Sequence, residues 1–273
     1  MTLPISKTQL DKLGKRLAAS EQISDADYEL LEQVLSAYDE LRDHVQGRLF
    51  ELGFENVTGR VKTTGTLVEK LRREQGMALK GVQDVAGVRI VVSGGRLEQD
   101  RAVERVERAF RPNVKGKPKD RRDEPSSGYR AVHVIVVVKS LPIEVQIRTE
   151  LQDLWAQAFE RIGDEWGRAI RYGGLPDEPD KLISSGTSLT RRDLVRLLQN
   201  LSERIDAVER AQLNLDRVEQ AQELDVDSEG GDEFQALLSE QEEVRELVER
   251  ETAGLGHLLE QLLQAMKPGG GFA

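Results

Sequence analysis

Four residues in "GRVKTTGTLVEKLRR" (59–73) have the types and spacing to hold a polyanion: Arg60, Lys62, Thr66 and Lys70. Period-two alternation puts Arg60 and Lys62 on one face of a short strand. Thr66 is placed to cap the helix that follows, and Lys70 lies one turn further on. A helix N-terminus flanked by cations suits phosphate, although an ordinary basic surface helix has the same composition. Two acids stand further along, Asp84 at the mouth of "DVAGVRIVVS" and Glu144 inside "LPIEVQIRTE". Asp84 fits a strand-entry cap as well as a ligand, but Mg²⁺ bound with a nucleotide commonly takes only one or two carboxylates. Tyr129 follows Gly128 at the end of a polar loop, where it can stack on a base or simply anchor a strand.

These residues need elements to carry them. A long amphipathic helix is expected over 21–53, started by Ser24 or Asp25, with Tyr28, Leu31, Val34, Leu35, Tyr38, Leu41 and Val45 at helical spacing, and ended by Gly53. A mixed strand–helix region follows over 54–175. Its strands are near 57–61, 84–93 and 129–139, with helices near 66–74 and 98–110. "PNVKGKPKDRRDEPSSGY" is a loop. The valine-rich run before Lys139 should be buried on both faces near its end, with Tyr129, Ala131 and His133 sharing one face. Only Ser140, Leu141 and Pro142 then separate it from the strand carrying Glu144, which implies a hairpin. On that strand Ile143, Val145 and Ile147 alternate with Glu144, Gln146 and Arg148. Alternation alone allows either a wet outer surface or a working one.

A helix carrying Trp155, Phe159, Ile162 and Trp166 closes this region. Residues 187–267 read as two amphipathic helices interrupted by "DVDSEGGDE". One stripe is Leu194, Leu197, Leu198, Leu201, Ile205 and Val208; the other is Leu237, Leu238, Val244, Leu247 and Val248. The tail "KPGGGFA" should be flexible. Expected boundaries are a helical segment over 1–53, a central domain over 54–175, and a C-terminal helical hairpin over 176–273.

Composition narrows the chemistry. The chain has 273 residues and no cysteine, so disulfides and thiolate metal sites are excluded. The three histidines, His44, His133 and His257, cannot assemble a histidine-rich hydrolytic centre. There is no GxxxxGK[ST], no GxGxxG after a strand and no GxSxG. No signal peptide or membrane span is expected, and the cytoplasm is the natural setting. The net charge is −10, yet residues 55–125 hold 17 Lys and Arg against 11 Asp and Glu. A basic segment in an acidic chain suits a polyphosphate ligand better than a long nucleic-acid track.

The order of the motifs then carries a resemblance. R-x-K-x-x-x-T-x-x-x-K (Arg60 to Lys70), D-V-A-G-V-R-I (Asp84 to Ile90), G-Y-R-A-V-H (Gly128 to His133) and E-V-Q-I-R-T (Glu144 to Thr149) resemble the synthetase domain of the RelA/SpoT alarmone synthetases over about residues 20–175. The resemblance implies an α+β fold, a nucleotidyltransferase-like mixed sheet backed by helices, followed here by the helical hairpin. It implies transfer of the β,γ-pyrophosphate of ATP to the 3′-hydroxyl of GDP or GTP, with Mg²⁺ as cofactor. Arg60 would then stack on adenine, while Lys62, Thr66 and Lys70 hold the ATP phosphates. Asp84 would bind the metal, Tyr129 would stack on the acceptor base, and Glu144 would activate the hydroxyl or share the metal. His133, Gln146 and Arg148 would line the acceptor and phosphate side.

The stretch "DRRDEPSSGY" departs from the family's D-Y-I-x-x-P-K-x-N-G-Y, with Arg121 and Arg122 supplying charge earlier. Paired HD residues of a hydrolase domain are absent; Asp43–His44 has no upstream histidine to complete a metal site. A synthesis-only member is expected, self-associating through its C-terminal helices. Two other readings remain: a relative that modifies adenosine nucleotides or the tRNA 3′ end, and a catalytically idle interaction module.

Overall fold

The computed structural model describes residues 4–74, 76–184, 186–224 and 232–266, with side chains throughout except 221–240. The chain forms two compact units. The first holds Met1–Ile90, Val103–Lys119 and His133–Ile147; the second holds Val91–Ala102, Asp120–Val132 and Arg148–Ala273. The architecture is α+β, with a five-stranded mixed sheet in the order β1–β2–β5–β4–β3.

The first unit begins with α1 (Lys7–Ala19), whose start is fixed by a Ser6–Gln9 capping box and which buries Leu10, Leu13 and Leu17. The motifs gave no sign of this helix. Gly14 allows it to meet the turn at Leu79–Gly81, since a Cβ there would lie 2.6 Å from the Leu79 Cβ. Helix α2 (Asp25–Glu51) starts at Ser24, whose hydroxyl accepts from the Asp27 amide. It buries the expected stripe from Leu31 to Val45 and adds Leu49. Tyr28 departs from that stripe: it sits in the first turn, before the buried part of the helix, and is 49% exposed.

α2 packs on β1 (Val57–Val61) through Gly59, where a Cβ would meet the Arg42 side chain at 2.7 Å. Arg42 and Gln46 donate to the Gly59 and Val57 carbonyls, which fixes the strand that presents Arg60. β1 pairs antiparallel with β2 (Ala86–Val92), Arg60 standing opposite Gly87 and Thr58 opposite Arg89. Helix α3 (Thr64–Arg73) lies between them in sequence, and α4 (Arg96–Phe110) follows β2.

The expected loop after α4 contains the short strand β3 (Lys119–Asp120). β4 (Val132–Val138) is buried on both faces at 134–136, in mid-strand rather than near its end. It turns into β5 (Leu141–Thr149) through Lys139 and Ser140 alone, because Leu141 and Pro142 already belong to the strand. A two-residue link between neighbouring strands makes the pair antiparallel. On β5 the apolar trio Ile143, Val145 and Ile147 is fully buried, while Glu144 and Gln146 keep a small exposure.

In the second unit α5 (Glu150–Glu165) begins at a Thr149–Gln152 capping box and stacks Trp155 on Phe159 at 4.7 Å. α6 (Arg191–Leu224) and α7 (Asp232–Ala265) complete its core. Leu194, Leu198, Leu201 and Ile205 of α6, and Leu255, Leu259 and Leu263 of α7, cluster with Trp155, Phe159 and Ile162. The sequence stripes were too wide. Leu197, Val244 and Leu247 are exposed, because the helices turn the flank of each stripe away from α5. The side chains of Leu237 and Leu238, the acidic segment between the helices and the glycine-rich tail lie outside the described residues. Among the described residues, no helix is long and apolar enough to cross a membrane.

Candidate functional site

In the first unit the sequence of β1 and α3 gathers cations around an acid. The cap of α3 is Thr63, whose hydroxyl accepts from the Thr66 amide. Thr66 therefore occupies the first turn instead of capping it, and its own hydroxyl donates to the Thr63 carbonyl at 3.0 Å. The cap stands three residues earlier than expected, because a threonine with extended backbone is already present at 63. Lys70, two turns into the helix, brings its ammonium to both Asp84 oxygens at 2.9 and 3.0 Å. Lys62 lies 3.4 Å from the same carboxylate. Arg89 points elsewhere, to the Thr58 hydroxyl across the β1–β2 ladder.

Glu144, on β5, is held by its strand neighbours. His133 Nδ1 lies 3.0 Å from one carboxylate oxygen, and Gln146 Nε2 donates to the other at 2.7 Å. Burial pushes the Glu144 carboxyl up. The hydrogen bond and charge of His133, then Gln146 and the charge of Lys62, outweigh it and bring the pKa down to about 2. Lys62 is thus felt by both acids. Such a carboxylate stays ionised at neutral pH; it is a good hydrogen-bond acceptor and metal ligand, and a weak base. Among the described residues no three His, Asp or Glu side chains converge as a metal site. Two carboxylates with lysines beside them do fit Mg²⁺ carried in with a polyphosphate, which supplies the remaining oxygens.

The second unit holds Tyr129 on a pedestal. Gly128 takes φ +91°, and a Cβ there would lie 2.7 Å from the Trp155 ring. The Tyr129 amide donates to the Ser126 carbonyl, closing a tight turn. Arg148 lies 5.0 Å from the Tyr129 ring centroid and donates to its hydroxyl at 3.2 Å. Arg148 is buried and paired with Asp153 at 3.0 Å. Burial works against its charge, but Tyr129, Asp153 and Glu160 more than offset that and raise its pKa. β4 starts only at Val132, so the alternation expected from Tyr129 through Ala131 to His133 is not continuous: Ala131 is fully buried and His133 belongs to the carboxylate cluster.

Residues 59–161 match the family described as "Region found in RelA / SpoT proteins". Those residues are thus similar to a RelA/SpoT region. Uncharacterized proteins of Mycobacterium tuberculosis and Mycobacterium bovis are 37% identical over 166 residues, which is 60% of this chain. The match spans 58% of the length of those relatives. Among solved structures, the small alarmone synthetases 1 and 2 from Bacillus subtilis share the fold at 20% identity, with TM-scores of 0.51 and 0.52. The first covers 70% of this chain and 98% of its own, the second 68% and 98%. The first enzyme bound to its product pppGpp matches at 23% identity and TM-score 0.51, over 71% of this chain and 99% of its own.

Within residues 59–161, the fold brings Lys62, Lys70 and Asp84 into one ion-paired group, and His133, Glu144 and Gln146 into one hydrogen-bonded group. Tyr129 and Arg148 form a second pair in the other unit. His133 and Gln146, expected on the acceptor side, bond directly to Glu144. Arg122, expected to supply charge ahead of the tyrosine, is paired with Asp120 and Asp100. Sequence reasoning passed over Arg96, Arg130, Ser202, Asp206 and Glu209. All five are buried or nearly so, and they form a polar network on α6. Their one visible signal was a row of polar residues, Ser202, Asp206 and Glu209, recurring at helical spacing beside the leucine stripe.

Proposed function

We propose that the chain is a pyrophosphokinase that moves the β,γ-pyrophosphate of ATP to the 3′-hydroxyl of GDP or GTP, making (p)ppGpp in the cytoplasm. The observation that carries this reading is Lys62: one ammonium within ion-pair reach of Asp84 whose charge also depresses Glu144. A cation joining two acids is the arrangement a metal–polyphosphate needs. Lys62 and Lys70 could leave Asp84 for phosphate oxygens, and Asp84 and Glu144 are the residues that would hold the metal. Arg60, on the strand beside them, meets the adenine, and Tyr129 meets the acceptor base. Mg²⁺, when bound, would offset the negative charge that develops on the transferred phosphates.

The acceptor's 3′-oxygen forms a bond to the β-phosphorus, the bond from that phosphorus to the α,β-bridging oxygen breaks, and AMP leaves with the electron pair. Glu144 accepts the hydroxyl's hydrogen bond from the start. With a pKa of about 2 it takes the proton late, once bond formation has made that oxygen strongly acidic. His133 and Gln146 hold the carboxylate for that task.

The test is incubation of the purified chain, Mg²⁺ and γ-labelled ATP with GDP, GTP, ADP or deacylated tRNA in turn. Label in GDP or GTP is expected. Label confined to ADP or tRNA would replace the acceptor, and no label in any of them would leave an interaction module. Self-association is a separate proposal, carried by Val244, Leu247 and Leu258, which are exposed at helical spacing on α7. Sedimentation of full-length protein with Val244→Glu and Leu247→Glu should then show a lower mass than wild type; equal masses would remove it.

A further inference from the structure

Helix α6 lies outside residues 59–161, yet it grips the turn that presents Tyr129. The Ser202 hydroxyl donates to the Gly128 carbonyl and accepts from Arg130 Nε at 3.1 Å, so one side chain holds the residues on both sides of the tyrosine. Ser202 is 2% exposed and Arg130 4%. Arg130 also reaches Asp206 at 3.1 Å and Glu203 at 2.9 Å, and donates to the Arg122 carbonyl. Asp206 accepts in addition from Arg96, and Arg96 lies 3.4 Å from Glu209. Glu209 accepts from Gln152 at 2.8 Å and from Thr149, the residue after Arg148. Trp155, which packs under Gly128, donates its indole N–H to the Leu198 carbonyl of α6 at 2.6 Å.

Such a network has more polar groups than core completion requires. Leu194, Leu198, Leu201 and Ile205 already bury α6, and burying Arg96, Arg130 and Glu209 costs free energy unless each is fully partnered. What the extra bonds accomplish is to fix a turn at positive φ with a tyrosine at its end. Ser127 and Gly128 both have positive φ, at 53° and 91°. A turn of this kind holds one conformation only when its surroundings over-determine it.

We infer that Ser202 is a positioning residue for acceptor recognition, setting Tyr129 through Gly128 and Arg130, so that α6 is part of the nucleotide site's framework. This rests on the reading of Tyr129 as the acceptor-stacking residue. Steady-state kinetics of wild type and Ser202→Ala, varying GDP and ATP separately, test it. Losing both hydrogen bonds of the Ser202 hydroxyl at the turn should raise KM for GDP about tenfold and leave KM for ATP within about twofold. Unchanged KM for GDP, or an equal rise for both nucleotides, would overturn it. Hydrogen exchange of the same two proteins separates this from the functional reading. Ser202→Ala should speed exchange at the Tyr129 and Arg130 amides while mid-α5 amides stay unchanged; equal rates at Tyr129 and Arg130 would overturn the positioning role. Should wild type transfer label to no guanine nucleotide, the functional reading fails, and the exchange rates alone decide whether Ser202 sets the turn.

Discussion

Asp84 is held by two ammonium groups on flexible stems, whereas Gly128 is held by an indole ring and a buried serine hydroxyl. The Asp84 carboxylate and its two lysines are each about a fifth to a quarter exposed. Their pairs can exchange partners at modest cost when a metal or a phosphate arrives. Arg130 and Ser202 are almost fully buried, and removing a partner there strands a polar group in low dielectric. The first arrangement is built to let go and the second is built to stay. On the proposed function, chemistry that moves charge would use the former and a platform that sets one base orientation would use the latter.

The largest effect should come from Glu144, which is on the first side of this comparison but is held as tightly as anything on the second. Glu144→Gln keeps the shape and the Gln146 contact while removing the charge. Transfer should fall about 10²–10⁴-fold with the circular dichroism unchanged. Near wild-type turnover would take Glu144 out of the reaction and leave Asp84 as the only acid with a role.

Two glycines test the rigidity directly. Gly128→Ala forces a side chain to φ +91° and drives it against Trp155. Strain and overpacking together should cost about 3 kcal/mol, lowering the melting temperature by on the order of 10 °C. Gly47→Ala, in α2 with open space around it, should instead stabilise by about 0.5–1 kcal/mol. If both variants melt like wild type, the turn is not over-determined and the contrast between the units disappears.

Much of the first unit was legible because its signals are local. Arg60 to Lys70 fits in two turns of helix and a strand, and the alternation on β5 places Glu144 and Gln146 together within three residues. Thr66 went astray by the smallest margin, since Thr63 offers the same capping chemistry and extended backbone earlier. In the second unit Tyr129 and Arg148 were legible, but the buried network behind them was not. Arg130 and Ser202 are 72 residues apart, and Thr149 and Glu209 are 60. Neither composition nor periodicity records which polar residues of a helix are turned inward. The leucine stripes of α6 and α7 were visible, but the breadth of a stripe does not say which flank is covered. Leu197 and Leu198 are adjacent and have opposite fates.

Acid should separate the two sites again. The folded Glu144 carboxyl titrates near 2 and its unfolded counterpart near the ordinary value of 4.5. The folded pKa is the lower one, so its contribution is complete above pH 4.5 and is lost as the pH falls toward 2. Melting temperatures of wild type and Glu144→Gln should therefore converge between those values. A constant gap through that window would mean that His133, Gln146 and Lys62 do not stabilise the charge.

The smallest effect lies in the β4–β5 link. Lys139 and Ser140 have φ +48° and +70°, both left-handed, as a two-residue turn between right-twisting strands demands. Lysine and serine enter that region at a cost that asparagine and glycine largely avoid. Both residues are exposed, which makes the turn the opposite of Gly128: positive φ is tolerated in the open at one site and enforced by packing at the other. Lys139→Asn with Ser140→Gly should raise the urea midpoint by an amount worth about 1 kcal/mol, without changing the slope or the transfer rate. A lower midpoint would show that the lysine or serine side chain holds the hairpin, and that positive φ in the first unit is as closely supported as in the second.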